Sequence, residues 1–199
     1  MNGETHENFA TGFAISAVIL MESLKINELH PYISALVAVN FARVGGKFPD
    51  YDLDWDKIHD KNIINFAINK FIKFTGGTHR SWQTHSFDIS IIVLFIMLLT
   101  NSILLNNGII NSMDSCLLNL TVTSFGIGWI SHLVCDMLNP SGVYLTVFNK
   151  NIKLKLVPKK FLAMSCSTGG TWEKIVKGLS GIIDVVLIVI MIIMPFIMR

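Results

Sequence analysis

Two ionisable side chains, His132 and Asp136, stand inside the otherwise apolar run from Gly126 to Leu138. Four residues apart on a helix, they share one face, one turn from each other. An imidazole and a carboxylate at that spacing can hold a metal ion between them or hydrogen-bond each other. Ionisable groups are costly in a membrane-type helix and are functional candidates by default. The alternative is a structural His–Asp pair that only ties helices together.

Five more residues offer the same donor chemistry: His6, Asp50, Asp52, His79 and His85. With His132 and Asp136 they form a set of imidazoles and carboxylates without thiolates, which suits zinc and, less specifically, manganese or iron. Seven donors exceed the needs of one tetrahedral ion. The expectation is therefore two zinc ions about 3.5–4 Å apart, bridged by a carboxylate and activating water. Asp50 or Asp52 is the natural bridge, because alternate positions of a loop can reach both ions. The carboxylate that does not bridge would act as a base or orient a histidine. Arg80, directly after His79, can grip a phosphate or carboxylate through two parallel hydrogen bonds. Asp50, Asp52 and Arg80 are thus the expected catalytic residues.

The remaining polar groups read as ordinary surface or packing. Asp54, Asp56 and Glu173 are expected in solvent, as are His30 and His59. Thr168-Gly169-Gly170 offers backbone N–H groups to an anion or makes a plain turn. The three cysteines, Cys116, Cys135 and Cys166, have no C-x-x-C spacing and read as small buried hydrophobes.

The elements that must position these groups are apolar helices. Of 199 residues, 51% are hydrophobic and only 15% charged, well below the ~25% charge of soluble domains. Mean hydropathy is +0.53. Composition therefore excludes a soluble enzyme, and the near-neutral net charge carries no nucleic-acid signal. The expected fold is a single all-α domain, residues 1–199, built as a multi-span membrane bundle with about five membrane helices. Asn8 to Met21 and Pro31 to Val44 form a short hairpin rich in small residues, with proline opening its second arm. His6 is expected just before the first helix. Trp55 to Phe74, with Lys57, Lys61, Lys70 and Lys73, reads as an amphipathic helix or helix pair on the membrane surface. Phe87 to Leu105, Cys116 to Leu138 and Ile182 to Met198 are spans. Alternation in Asn151 to Val157 suggests a short strand. Met1 to Glu7 carries acidic residues and no basic stretch, so no secretory signal is expected.

Counting crossings brings all seven donors to one membrane face. Arg43, Lys47, Lys57, Lys61, Lys70, Lys73, Arg80 and the basic segment after Pro140 crowd that face, against Lys25 and Arg199 opposite. Positive charge stays in the cytoplasm, so the site should face it.

The motifs occur in a recognisable order. Thr5-His6 precedes a small-residue helix; Phe48-Pro49-Asp50-Tyr51-Asp52, His79-Arg80, Thr84-His85-Ser86, His132 with Asp136, and Pro140-Ser141-Gly142-Val143 follow. Together they resemble the bacterial membrane-bound metal-dependent hydrolases, the YdjM-like inner-membrane proteins, some of them under LexA control. That resemblance implies a multi-helix inner-membrane protein with a metal site. The His132–Asp136 spacing is also distantly similar to the zinc-dependent phospholipase C and P1-type nuclease group, which implies phosphoester hydrolysis. That group has more than the single helix pair of this kind present here. The expected function is a membrane-embedded hydrolase acting on a phospholipid or other amphiphilic phosphoester, with membrane lipids as partners. The rival is a divalent-metal transporter or sensor, which would need polar groups near the midplane.

Overall fold

The computed structural model describes residues 3–25, 29–58, 61–139, 141–148, 152–156 and 169–197. Helix α1 runs Gly3–Ser23 and α2 runs Pro31–Lys47. A 3-10 turn, Phe48–Asp52, and a second, Trp55–Lys57, lead to α3, Ile63–Phe74. The remaining helices are α4 (Phe87–Asn106), α5 (Ser112–Asp136) and α6 (Thr171–Ile197). Strands β1 (Val143–Tyr144) and β2 (Lys153–Leu154) pair antiparallel between α5 and α6. The protein is all-α in class, as its composition requires.

Among the described residues three helices, α4, α5 and α6, are long and apolar enough to cross a membrane. This is fewer than the five counted from sequence, because α2 has only 17 residues and α1 opens on the polar Glu4-Thr5-His6-Glu7-Asn8; the hairpin buries one face and leaves Leu20, Ile33 and Leu36 exposed. Small side chains explain its place. Ala10, Ala14 and Val18 of α1 meet Ala35, Ala38 and Ala42 of α2 and Leu120 of α5 in one buried cluster. The outer helices are the reverse: Ile182, Ile183, Val185 and Val186 of α6 and Ile91, Phe95 and Ile96 of α4 are exposed, as lipid-facing residues are.

The closest approach is between α2 and α5. A Cβ on Gly128 would lie 1.8 Å from the Ala42 carbonyl oxygen, and one on Gly45 would lie 1.9 Å from that of Phe125. Only glycine lets the two backbones come this near, the small-residue packing common between membrane helices. At the same end, Glu7 of α1 pairs with Lys47 (2.9 Å) and Arg43 of α2, and Glu4 pairs with Lys177 of α6.

Four local expectations change. α1 starts at Gly3, so His6 lies within the helix and is buried. The Trp55 to Phe74 segment is a turn followed by a shorter helix. α6 starts at Thr171, well before Ile182, and Glu173 in its first turn is buried rather than solvated. His59, Pro140, Lys150, Cys166 and Thr168 lie outside the described residues.

Gly128→Val should lower the unfolding free energy by about 3 kcal/mol or more, since the α2–α5 contact cannot relax without parting backbones. Gly178→Ala, with open space around it, should change it by no more than about 1 kcal/mol. Thermal unfolding of detergent-purified protein, followed by circular dichroism, compares the two.

Candidate metal centre

The site forms where α1, α2 and α5 converge; His132 and His85 are set there by their second nitrogens and His6 by stacking on His132. His132 is buried on α5, and its Nδ1 donates to the Gly46 carbonyl at the end of α2, 2.6 Å away. That bond fixes the tautomer, leaving a lone pair on Nε2. His85 sits just before α4. Its backbone carbonyl accepts from Tyr144 N–H of β1 (3.2 Å), so the small hairpin clamps this residue. Its Nδ1 lies 3.1 Å from Asp52 Oδ2. His6, in the first turns of α1, stacks on His132 with ring centroids 3.7 Å apart.

The free edges of these rings meet one carboxylate. Asp136 Oδ1 is 3.5 Å from His6 Nε2, and Asp136 Oδ2 is 3.6 Å from His85 Nε2 and 3.8 Å from His132 Nε2. Asp50 Oδ1 is 3.9 Å from His132 Nε2. Among the described residues two overlapping groups have ligand atoms close enough for a metal ion: His6, His132 and Asp136, and Asp50, His85 and His132. Nε2 of His85 and Nε2 of His132 are buried without a hydrogen-bond partner. Buried polar atoms are seldom left so, and an unplaced ion is a standard reason. The donor chemistry therefore fits a divalent cation. Since His132 Nδ1 is bound to Gly46, both groups must share its Nε2, and one nitrogen lone pair serves one ion.

Asp52 has a different place from the one a bridging ligand would take. It is fully buried, and its carboxylate accepts from His79 Nδ1 (3.0 Å), Arg80 N–H (2.8 Å), Thr84 Oγ1 (2.7 Å) and His85. Burial alone would raise the Asp52 carboxyl, but the bonds from His79, His85 and Thr84 and the charge of His85 hold it well below the usual carboxylate range. It stays ionised and orients His85, the outer carboxylate–histidine arrangement common at metal sites. His79 belongs with it: its side chain is 44% exposed and reaches Asp52, and it joins neither ligand group.

Arg80 lies beside the cluster, its side chain 27% exposed. Its Nε lies 3.5 Å from Asp136 Oδ2, and its guanidinium donates to Ser141 Oγ. Its backbone is left-handed, at φ 59°, a conformation costing about 1–2 kcal/mol outside glycine. The Asp52 bond to its N–H holds that turn.

Two contributors, Thr84 and Asn139, have little signature in the sequence, and a third buried polar group, Glu173, lies on α6 outside the cluster. Thr84 bonds Asp52 and has its carbonyl held by Trp129 Nε1 at 2.8 Å. Asn139 Nδ2 donates to Asp136 Oδ1 at 2.6 Å. Glu173 is buried at the start of α6 and accepts from Gly169 N–H. Thr84 and Asn139 neighbour recognised donors, the one signal they carry; Glu173 has none. Asp54, Asp56 and His30 are exposed, as expected.

The fold and site define a helical membrane protein with a buried histidine–carboxylate cluster at one end of its helices. A family model, the YdjM inner membrane protein, matches residues 1–198, and the chain belongs to that family. No curated protein and no solved structure matches it.

If this centre holds zinc, Asp136→Ala should abolish tight binding, whereas Asp52→Asn should weaken it by about 10–100-fold by loosening His85. Chelator competition on the purified protein measures both.

Proposed function

We propose that this protein is a membrane-embedded, metal-dependent hydrolase of amphiphilic phosphoesters. The observation that carries the reading is the pair of buried, unpartnered Nε2 atoms of His85 and His132, both directed at Asp136. Beside them, His6, His132 and Asp136, and Asp50, His85 and His132, have ligand atoms within 4.8 Å of one another, a donor set that suits a bound cation.

His6, His85 and His132 would hold the ion through Nε2, with Asp136 and Asp50 as carboxylate donors. The converging donors and the shared His132 nitrogen favour one ion over the two expected from the donor count. Zinc suits the set best, with manganese and iron as alternatives. When bound, the ion supplies Lewis acidity toward water and a phosphoryl oxygen.

The chain's own residues supply the rest. Asp50 is the most open of the converging groups, its side chain 28% exposed, and is placed to accept a proton at its free oxygen. Arg80 presents a fixed cation beside the cluster for an anionic substrate group. Asp52 keeps the His85 proton on Nδ1, so that Nε2 stays a ligand. Trp129 and Phe48 close the wall behind the site with rings 4.6 Å apart, limiting water on that side.

The amphiphilic substrate follows from the site's place at the end of apolar helices, within reach of lipid headgroups. The basic side chains of this end support a multi-pass topology with the site in the cytoplasm.

Purified protein should contain about one zinc per chain by elemental analysis and release product from a phospholipid or lipid phosphate. His132→Ala should lose the metal and reduce turnover roughly 100-fold or more, the scale for removing a group that stabilises developing charge. Zinc uptake into proteoliposomes without product release would make the protein a transporter instead.

A further inference from the structure

Helix α3 is built inside out. Asn65, Asn69 and Ile72 are buried, while Ile63 is 84% exposed, Ile64 68%, Phe71 68% and Phe74 89%. At 100° per residue, Ile63, Phe74, Ala67, Phe71 and Ile64 fall on one continuous arc of about 100°. A helix on a water-facing surface turns its asparagines out and its phenylalanines in. This one does the opposite.

The inward face has a task. Asn69 Nδ2 donates to the carbonyls of Tyr51 (2.7 Å) and Leu53 (2.8 Å), and Lys73 Nζ donates to that of Asp52 (2.7 Å). Ile68 and Ile72 pack beneath, against Tyr51 and Ile58. α3 therefore grips the turn that carries Asp50 and Asp52. That turn is itself fixed to α5, through Phe48 on Phe125 (5.4 Å) and Trp129 (4.6 Å). Trp129 is two turns, about 10 Å, from the end of α5. The turn that α3 grips thus meets α5 about 10 Å short of the end of that candidate span. Lys70, beside the apolar arc, has an ammonium 5.3 Å above the Phe66 ring, the placement of a cation that runs its stem along apolar surface and leaves its head in water.

We infer that α3 docks on the bilayer interface, burying Ile63, Ile64, Phe71 and Phe74 among lipid chains, and so holds the Asp50–Asp52 turn in register with the histidines. The occupant is lipid. Lys70 at the edge of the arc, its stem along apolar surface and its ammonium over Phe66, is the arrangement of a side chain at a lipid–water boundary; a second copy, which would offer the same arc, is an outcome of the test below. The docking stands alone, and its effect on the site rests on the metal-centre reading.

The test uses the full chain in nanodiscs of phosphatidylethanolamine and phosphatidylglycerol. Photoreactive benzoyl-phenylalanine in place of Phe71 or Phe74 should give lipid adducts on irradiation, and in place of exposed Asp56 should give none. Crosslinks to a second copy at Phe71 or Phe74, or no lipid adduct there, overturn the docking. Phe71→Ser with Phe74→Ser should weaken zinc binding about tenfold, and Phe71→Leu with Phe74→Leu should restore it. Unchanged zinc affinity in the serine variant overturns the link to the site. Lipid adducts on a wild-type protein that binds no zinc would sustain the docking and reject the metal centre.

Discussion

An imidazole nitrogen without a partner is costly at the end of an apolar helix, and much of the interior is arranged around this constraint. Burying a polar group without a hydrogen bond costs on the order of 1–3 kcal/mol in proteins. At His132 and His85 the cost is met on one side only. Gly46 takes the Nδ1 proton of the first and Asp52 that of the second. The opposite nitrogens converge on Asp136 with nothing between them in the protein. The cation proposed here would remove the penalty on both nitrogens and both carboxylates together.

Such a cluster needs closeness that ordinary helix packing does not allow. Gly45 and Gly128 bring α2 against α5, so that the Gly46 carbonyl reaches His132 across the seam. Glu7 binds Arg43 and Lys47, keeping α1 and α2 together where His6 enters. The β1–β2 pair adds the last fixed point through Tyr144 and His85. Segments remote in sequence fix the donors: α1 carries His6, α5 carries His132 and Asp136, α2 holds His132 through Gly46, the 3-10 turn carries Asp50, and the hairpin holds His85. The site is therefore as rigid as the packing beneath it, which is where a metal site should be built.

Several features are legible in the amino-acid sequence alone. The apolar runs declare a helical membrane protein, since charges are scarce and the runs near bilayer length. His132 and Asp136 stand out as a pair because helical periodicity places them on one face. Convergence of His6, Asp50 and His85 on them follows from the order of helix directions. Other features are not legible. The starts of α1 and α6 are hidden because polar residues such as Glu4 and Glu173 read as loop until tertiary partners bury or pair them. The inward partners of α3 are also hidden: its apolar face suggests a membrane surface, but nothing in the pattern shows that Asn69 and Lys73 grip the backbone of the Asp50–Asp52 turn.

The division between Asp50 and Asp52 shows the limit most clearly. Sequence determined that two carboxylates stand two residues apart in a turn after a glycine pair, and that imidazoles would come near them. It could not rank them, because both have the same chemistry and the same local pattern. Tertiary structure ranked them: the 3-10 turn directs Asp50 to His132 and buries Asp52 among His79, Arg80, Thr84 and His85. Residue type and helical period set what chemistry was available and which face carried it. Only the packing of distant segments decided which lone pairs were consumed by the protein and which were left for a ligand, because hydrogen bonding between remote residues has no trace in the local sequence.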